Sequence, residues 1–462
     1  MSDFAGAVAV DLGASSARFA AGRIESGRIQ FEIVEQKPHE PREQDGRLVW
    51  DFPFLLDFCR RAAAYAGNRF GVATIGIDTW GVDHGLIGEH GGLLQPVVAY
   101  RDRSHAAAFE ALHRERSWLY AATAIQHQPF NTLYQLWART QEDPTLPDRT
   151  RAVLVLPDLL GFFLTGREDY EFTEWSTSGL LGLDGGWSQR AFALTGFDPP
   201  PRPPGQPGEL IGMVSERVQL ARIAGHDTAS AVCGLGLQRE GQAFLNVGTW
   251  SLVGCLVSEP IASSEAEAAN LTNERAADGR VRLLANIPGF YVVNRLHQEL
   301  GVRIPVPQWL ASAEFSADAS VDLLQPEFFN PQSMVEAMSA GLPSSPANEA
   351  QWAGLALVSL AGSVKRQLQA LERVAGRRFE SIRAAGGGSA SVAFCQTVAD
   401  TCGLPVVAGP VEATVLGNLG VQFLAQGAVT SFAALGELVR ASIDLKVYDP
   451  RGAGAPGAAE VR

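Results

Sequence analysis

Short apolar runs, each closed by a polar or glycine-rich turn, recur along this chain. Ala7 to Asp11 is such a run ending in a carboxylate, Gly13-Ala14-Ser15-Ser16 reads as a turn, and Arg18 to Ile24 and Ile29 to Val34 read as strands split by Ser26-Gly27. A helix is expected from about Phe52 to Ala66. Val72 to Asp78 then reads as a buried strand running into Thr79-Trp80-Gly81-Val82-Asp83. Strands that alternate with helices predict an α/β domain. Pro199 to Pro207 reads as a surface excursion, and the first half closes near Gly234.

The second half opens with Gln242 to Val247, an apolar run into Gly248-Thr249-Trp250-Ser251. Val8 to Ser16 and Phe244 to Ser251 share one pattern: apolar strand, glycine, small hydroxylated residues. Two such turns, each opening a half of similar size, predict a duplicated fold with a cleft between the halves. Leu357, Leu360, Val364, Leu368 and Leu371 form a single apolar stripe on a helix over about Glu349 to Val374. Ser381 to Ala385 reads as a strand leading into Gly386-Gly387-Gly388, with Ser389 placed to cap the next helix. Leu404 to Ala408 is another strand, and a helix follows Pro410 to about Ala425. The glycine- and alanine-rich tail from Arg451 is expected to be disordered.

A chain of 462 residues suits two or three domains. No run approaches the roughly 20 apolar residues a membrane helix needs, and the opening Met-Ser-Asp-Phe lacks the basic and apolar segments of a signal peptide. A cytoplasmic protein with no membrane partner is expected. The formal charge of −13 argues against nucleic acid, whose phosphates need a basic footprint. Five cysteines, at 59, 233, 255, 395 and 402, show no CxxC spacing, so buried free thiols are expected rather than a disulfide framework or zinc ribbon.

Candidate chemistry lies at the turns. Asp11 delivers a carboxylate beside small residues whose backbone N–H groups could meet a phosphate. Gly248-Thr249-Trp250-Ser251 offers the same donors from the second half, and Gly386 to Gly388 leaves an open backbone where adenine or ribose could lie. Each reads equally, taken alone, as an ordinary turn. There is no GxxxxGK[ST], and none of Lys37, Lys365 and Lys446 follows a glycine-rich turn, which disfavours a P-loop; no GxGxxG follows the first strand. In Gly225-His226-Asp227-Thr228, Asp227 reads either as a helix cap or as a general base that takes the proton of an attacking hydroxyl. Asp78, Trp80 and Asp83 put two carboxylates and an indole at a strand end, where α/β sheets bind ligands.

Together, VAVDLGASSAR (8–18), IGIDTWGVD (75–83), AYRD (99–102), QPFNTLYQL (128–136), GHDTASAV (225–232), GTWSL (248–252), NLTNE (270–274), GGG (386–388) and VVAGPVEATVLGN (406–418) resemble the FGGY carbohydrate kinase family, and within it the bacterial L-rhamnulokinases. The resemblance spans about residues 5 to 450. It implies an α/β fold of two actin-like (RNase H-like) ATPase domains flanking a deep cleft: a sugar-binding domain over 1–236, a nucleotide-binding domain over 237–450, and a tail over 451–462. It further implies transfer of the γ-phosphoryl group of ATP to a primary hydroxyl of a ketose, L-rhamnulose by preference, with Mg²⁺ and with Asp227 as proton acceptor. Ala14, Ser15, Ser16, Ala17 and Arg18 would contact ATP, with Asp11 near the metal. Thr249, Asn294 and Gly387 would serve the nucleotide. Gly81, His226, Asp227, Thr228, Asn286, Trp80 and Asp83 would contact the sugar.

The alternatives are a kinase for L-fuculose or xylulose, or an actin-like ATPase or sugar-sensing module without transfer. A monomer or homodimer is expected. Four positions depart from the family pattern. Ala17 replaces a glycine, which is tolerable where the backbone has negative φ. Asn294 stands where a longer amide is usual, and His84 and His127 replace apolar residues that bear on the sugar pocket.

Overall fold

The computed structural model describes residues 6–237, 239–316, 319–329 and 331–452. They divide into two compact units: Met1–Gly236 with Ser258–Arg282 and Thr414–Ser442, and Leu237–Val257 with Leu283–Ala413 and Ile443–Arg462.

The first unit is built on a six-stranded sheet in the order Arg28–Pro38, Ser16–Glu25, Gly6–Gly13, Ala73–Thr79, Val218–Arg222, Glu209–Ser215. Gly6–Gly13 pairs antiparallel with Ser16–Glu25 and parallel with Ala73–Thr79, which in turn pairs parallel with Val218–Arg222. The two central strands are buried on both faces and therefore read as continuous apolar runs rather than alternating ones.

One face is covered by the helix Phe52–Phe70. Asp51 caps it by accepting from the Phe54 N–H, and its stripe of Leu55, Phe58, Cys59, Ala62 and Ala66 packs into the core with Val8, Val10, Ile75 and Ile77. The other face receives the helix Ala413–Ala425, through polar groups as well as apolar ones. Asn418 donates to the Gly76 carbonyl at 3.2 Å, and Gln422 donates to the Val8 carbonyl at 3.0 Å. Gly76 makes this possible, since a Cβ there would lie 2.7 Å from Asn418 Oδ1. These contacts are why residues near 420 belong to the first unit.

In the second unit the strands run Val281–Pro288, Trp250–Val257, Gln242–Val247, Ser381–Ala385, Val406–Ala408, Lys446–Tyr448. Gln242–Val247 pairs antiparallel with Trp250–Val257 and parallel with Ser381–Ala385, which pairs parallel with Val406–Ala408. The predicted duplication is thus present in the pairing itself: in both units a hairpin's first strand lies between its antiparallel partner and two successive parallel strands. Val281 and Arg282, which open one of these strands, belong to the first unit with the preceding strand Thr272–Arg275. The long helix runs Glu349–Ala375, capped by Asn348 and ended by Gly376 in the left-handed region.

Three expectations are corrected. Ser389 does not cap the next helix: it lies in the 3₁₀ turn Gly387–Ala390 with its hydroxyl on the Gly386 carbonyl, and Ser391 caps Val392–Cys402. Asp227 is the first residue of its helix rather than its cap, which is His226. Arg451 is tied to Asp400 at 2.6 Å, so the tail is anchored at its start; residues 453–462 lie outside the described residues. All five cysteines are free thiols; Cys59, Cys255 and Cys395 are buried as expected, and Cys233 and Cys402 are partly exposed. No described helix is long and apolar enough to cross a membrane.

Candidate active site

Three neighbouring segments of the first sheet end together. Asp11 and Asp78 are register partners on adjacent parallel strands. The Thr79 N–H donates to the Gly225 carbonyl at 2.8 Å, and Thr79 forms a parallel bridge with His226. The carboxyl ends of these strands therefore gather Asp11, Asp78 and the His226-Asp227 start of the helix Asp227–Gly234, which is where open α/β sheets present ligand groups.

Asp11 is buried and takes both Nε (2.8 Å) and Nη2 (2.6 Å) of Arg18 on Oδ2. Asp78 is buried too. Its Oδ2 accepts from Asn418 at 2.5 Å, while its Oδ1 has no hydrogen-bond partner. Burial, then the charge of Asp11, and further the charge of Asp227, push the Asp78 carboxyl well above the usual range. Asp227 itself is reachable, its side chain 29% exposed, with the Thr228 hydroxyl donating to Oδ1 at 3.0 Å.

His226 lies beside it, Nε2 3.5 Å from Asp227 Oδ1. Behind the ring, Nδ1 is 3.1 Å from Arg282 Nη2 and 3.4 Å from Glu274 Oε2, and Arg282 pairs with Glu274 at 3.1 Å. Burial works against the Glu274 carboxylate, yet the Arg282 guanidinium holds its pKa below the ordinary glutamate value. A Cβ on Gly81 would lie 3.3 Å from His226 Nε2, so glycine leaves that nitrogen a free approach.

The next residue, Val82, has φ of 74°, strained for a β-branched side chain. It is held there because its N–H donates to Glu174 at 3.0 Å and its carbonyl accepts from Thr132 at 2.7 Å and Gln135 at 3.2 Å.

Trp80 is buried, its ring 4.1 Å from that of Trp50. Both indoles donate to Asp83 Oδ2, at 2.8 and 2.6 Å, and Gln135 donates to Oδ1 at 3.2 Å. The Asp83 carboxylate is thus taken up inside the core, where it fixes Trp80. Burial raises its pKa to about 6 against these hydrogen bonds. His84 is buried near Arg139 and His105, and desolvation lowers it to about 3. His127 contacts the Arg116 carbonyl and accepts from the Tyr134 hydroxyl.

In the hairpin of the first unit, Ala14 and Ser15 form the tip, and Ala17 is buried opposite Leu12. Ala17 is not among the described non-glycine residues with positive φ, so its methyl carries no left-handed strain.

The second unit repeats the motif. Gly248, Thr249 and Trp250 are exposed, and the carbonyls of Gly248 and Thr249 accept from Phe290 and Tyr291 at the start of the helix Phe290–Glu299. Gly386, at φ 81°, and Gly388 pack against Val247, whereas a Cβ on Gly387 would meet nothing within 4 Å. Asn294 is exposed on that helix, and Asn286 is partly buried on its strand.

Residues 7–232 match the N-terminal domain of the FGGY family of carbohydrate kinases, and 243–426 match its C-terminal domain. The chain belongs to this family. It is 34% identical over 457 residues to a rhamnulokinase from Mannheimia succiniciproducens, covering 96% of this chain and 94% of that one. It is 33% identical over 487 residues to a rhamnulokinase from Bacteroides thetaiotaomicron, covering 98% and 97%. The fold matches that of a xylulose kinase from Lactobacillus acidophilus with a TM-score of 0.79 at 16% identity, covering 96% of this chain and 94% of that one. The protein is an ATP-dependent FGGY sugar kinase with the two-domain, actin-like α/β fold of that family.

Sequence reasoning did not single out four residues that surround His226-Asp227 and its neighbours: Glu174, Glu274, Arg282 and Asn418. NLTNE ends in Glu274 and VVAGPVEATVLGN ends in Asn418, so those motifs carried the signal. Arg282 had none, because only the hairpin after Thr272–Arg275 brings it back to His226.

Proposed function

We propose that this kinase phosphorylates a primary hydroxyl of a ketose, L-rhamnulose by preference, with Asp227 taking the proton. The observation that carries the reading is a reachable carboxylate at the start of a helix, oriented by Thr228 and flanked by a histidine, at the carboxyl ends of three parallel strands. The preference for L-rhamnulose rests on the full-length likeness to two rhamnulokinases.

In this reading the sugar lies against Gly81, His226, Asp227, Thr228 and Asn286. Trp80 is held in place from behind by Asp83. As the hydroxyl oxygen attacks the γ-phosphorus, its O–H bond breaks and the proton passes to Asp227, while the bond to the β-phosphate oxygen breaks and ADP leaves. Little covalent work falls to the protein in such a transfer, and positioning and electrostatics dominate. Ala14 to Arg18 and Thr249 offer backbone and hydroxyl donors to phosphates, and Gly387, with Asn294, an open backbone to the nucleoside.

Among the described residues no group of three or more His, Cys, Asp or Glu is gathered to hold a metal by protein ligands alone. A magnesium ion that arrives with nucleotide needs only one or two carboxylates. The partnerless buried Oδ1 of Asp78 fits that demand, so Asp11 and Asp78 would hold the ion. When bound, it would neutralise phosphate charge.

A coupled ADP-release assay across L-rhamnulose, L-fuculose, xylulose and polyols tests the reading. L-Rhamnulose should give the highest kcat/KM, and a better rate with another sugar reassigns the substrate. Asp227→Asn should lower turnover by about 10²–10⁴ while nucleotide still binds; turnover like that of the unmodified enzyme would remove Asp227 from the chemistry.

A further inference from the structure

We propose that Arg282 is a positioning residue that fixes the tautomer of His226, placing the imidazole hydrogen on Nε2, so that Asp227 is left as the one proton acceptor at the sugar. This rests on the roles given to His226 and Asp227 above and adds a residue that acts through them.

The argument begins with donor chemistry. A guanidinium only donates, whereas an imidazole nitrogen does either. Arg282 Nη2 stands 3.1 Å from His226 Nδ1, closer than Glu274 Oε2 at 3.4 Å. The nearer group sets the tautomer, so Nδ1 is the acceptor and Nε2 carries the hydrogen. Arg282 cannot swing away: its side chain is fully buried, its Nε donates to the Arg275 carbonyl at 2.9 Å, and the same Nη2 is held 3.1 Å from Glu274.

Buried alone, such a cation would be costly. Glu274 offsets part of that cost, with Asp227, Glu171 and Glu174 adding to the negative field around it. The charged groups facing the ring are therefore Asp227 from its own helix and Glu274 and Arg282 from the hairpin. Glu171 and Glu174, around the short helix Phe172–Trp175, act through the arginine.

One failure is thereby avoided: with hydrogen on Nδ1, toward Glu274, the bare Nε2 would compete with Asp227 for the sugar proton. With the arginine in place, Nε2–H points into the approach left by Gly81 and can donate to a sugar oxygen. Its 3.5 Å distance from Asp227 Oδ1 is too long to bind the carboxylate firmly.

The test is a long-range ¹H–¹⁵N correlation spectrum of histidine-labelled full-length protein, with His226 assigned by its loss in His226→Asn. The expected result at pH 8 is an unprotonated Nδ1 and a protonated Nε2. A protonated Nδ1 in the unmodified protein overturns the proposal. In Arg282→Met, Nδ1 should gain a hydrogen toward Glu274. The acid limb of kcat/KM for the sugar should then move alkaline by about one pH unit, an approximately tenfold loss below it, while KM for ATP changes less than about twofold. Glu274→Gln should leave the tautomer as it is. A loss equal at every pH in Arg282→Met, with the tautomer unchanged, reduces Arg282 to a structural role and also overturns the proposal. If Arg282→Met does not fold, the spectrum of the unmodified enzyme still decides. Absence of any sugar-stimulated ADP release in the unmodified enzyme would strike the substrate reading alone, since the spectrum does not depend on turnover.

Discussion

Replacing Asp83 with asparagine isolates the free-energy cost of a buried ion beneath the site. Burial lifts this carboxyl from 3.8 to about 6, against hydrogen bonds from Trp80, Trp50 and Gln135. At roughly 1.4 kcal/mol per pKa unit, a rise of about two units is worth about 3 kcal/mol. The folded protein binds this proton more tightly than the unfolded chain. Stability is therefore undiminished below about pH 4, falls as pH rises from there to about 6, and carries the full cost above.

Asparagine has no such cost but is not a perfect substitute. With its oxygen on the two indoles, its NH₂ faces Gln135 Nε2. That amide cannot turn over, because the same nitrogen donates to Phe130 at 2.7 Å and Val82 at 3.2 Å. The mismatch costs on the order of 1 kcal/mol at any pH. Asp83→Asn should thus be more stable than the unmodified protein by about 1–2 kcal/mol at pH 8 and about equal or slightly less stable at pH 4.5. Urea unfolding followed by tryptophan fluorescence at the two pH values measures the difference. Stability curves that run parallel between pH 4.5 and 8 would show that Asp83 carries no raised pKa and refute the reasoning.

Two further outcomes follow from close packing. Asn418→Ala removes donors to Asp78 and to the Gly76 carbonyl and the acceptor for Gln422, all buried; a loss of about 2–4 kcal/mol is expected by urea unfolding, and a loss below about 0.5 kcal/mol would contradict the network. Gly388→Ala would drive a Cβ to 2.2 Å from Val247 Cγ1, whereas Gly387→Ala meets no atom within 4 Å. The first should lower Tm, and the second should leave Tm unchanged while raising KM for ATP; a Gly387→Ala enzyme with unaltered KM would remove that position from the nucleotide site.

Much of the scaffold was legible in the chain because the signals were local. The run from Ala7 to Asp11, the stripe from Leu357 to Leu371 and the glycine turns all depend on residues a few positions apart, and they fall on observed elements. Ser389 was misread as a cap because a 3₁₀ turn, which leaves no apolar period, intervenes before the helix. The site was legible only in part. Asp227 and His226 stand in one motif, but what surrounds them comes from residues 78, 174, 274, 282 and 418. These are brought near by parallel pairing, by a hairpin and by a helix laid across the sheet, none of which has a period in the sequence. Arg282 is the clearest case: it stands in Arg280-Val281-Arg282-Leu283 with no motif around it, yet its side chain is wholly buried.

The duplication also explains why the two hairpins differ where they should otherwise match. Aligning Asp11-Leu12-Gly13 with Asn246-Val247-Gly248 places a carboxylate in the first unit against a neutral amide in the second. Their parallel partners follow suit: Asp11 faces Asp78, while Asn246 faces Ala385, just before Gly386. A Cβ on Gly386 would lie 2.8 Å from Asn246 Oδ1, so this amide borders the glycine turn proposed to receive the nucleotide. Negative charge is thus concentrated where an ion is proposed to sit and kept away from the Gly248-Thr249 turn, which begins two residues after Asn246 and is proposed to receive phosphate. Asn246→Asp, nearly isosteric, would break that asymmetry. A unit charge about 6 Å from a phosphate oxygen, at an effective dielectric constant near 20, is worth about 3 kcal/mol before screening. KM for ATP should therefore rise by about tenfold or more in low salt and less at high ionic strength, with Tm little changed. A KM that stays put at every salt concentration would show that this turn meets no phosphate, and the matching of the two hairpins would then be a matter of folding alone.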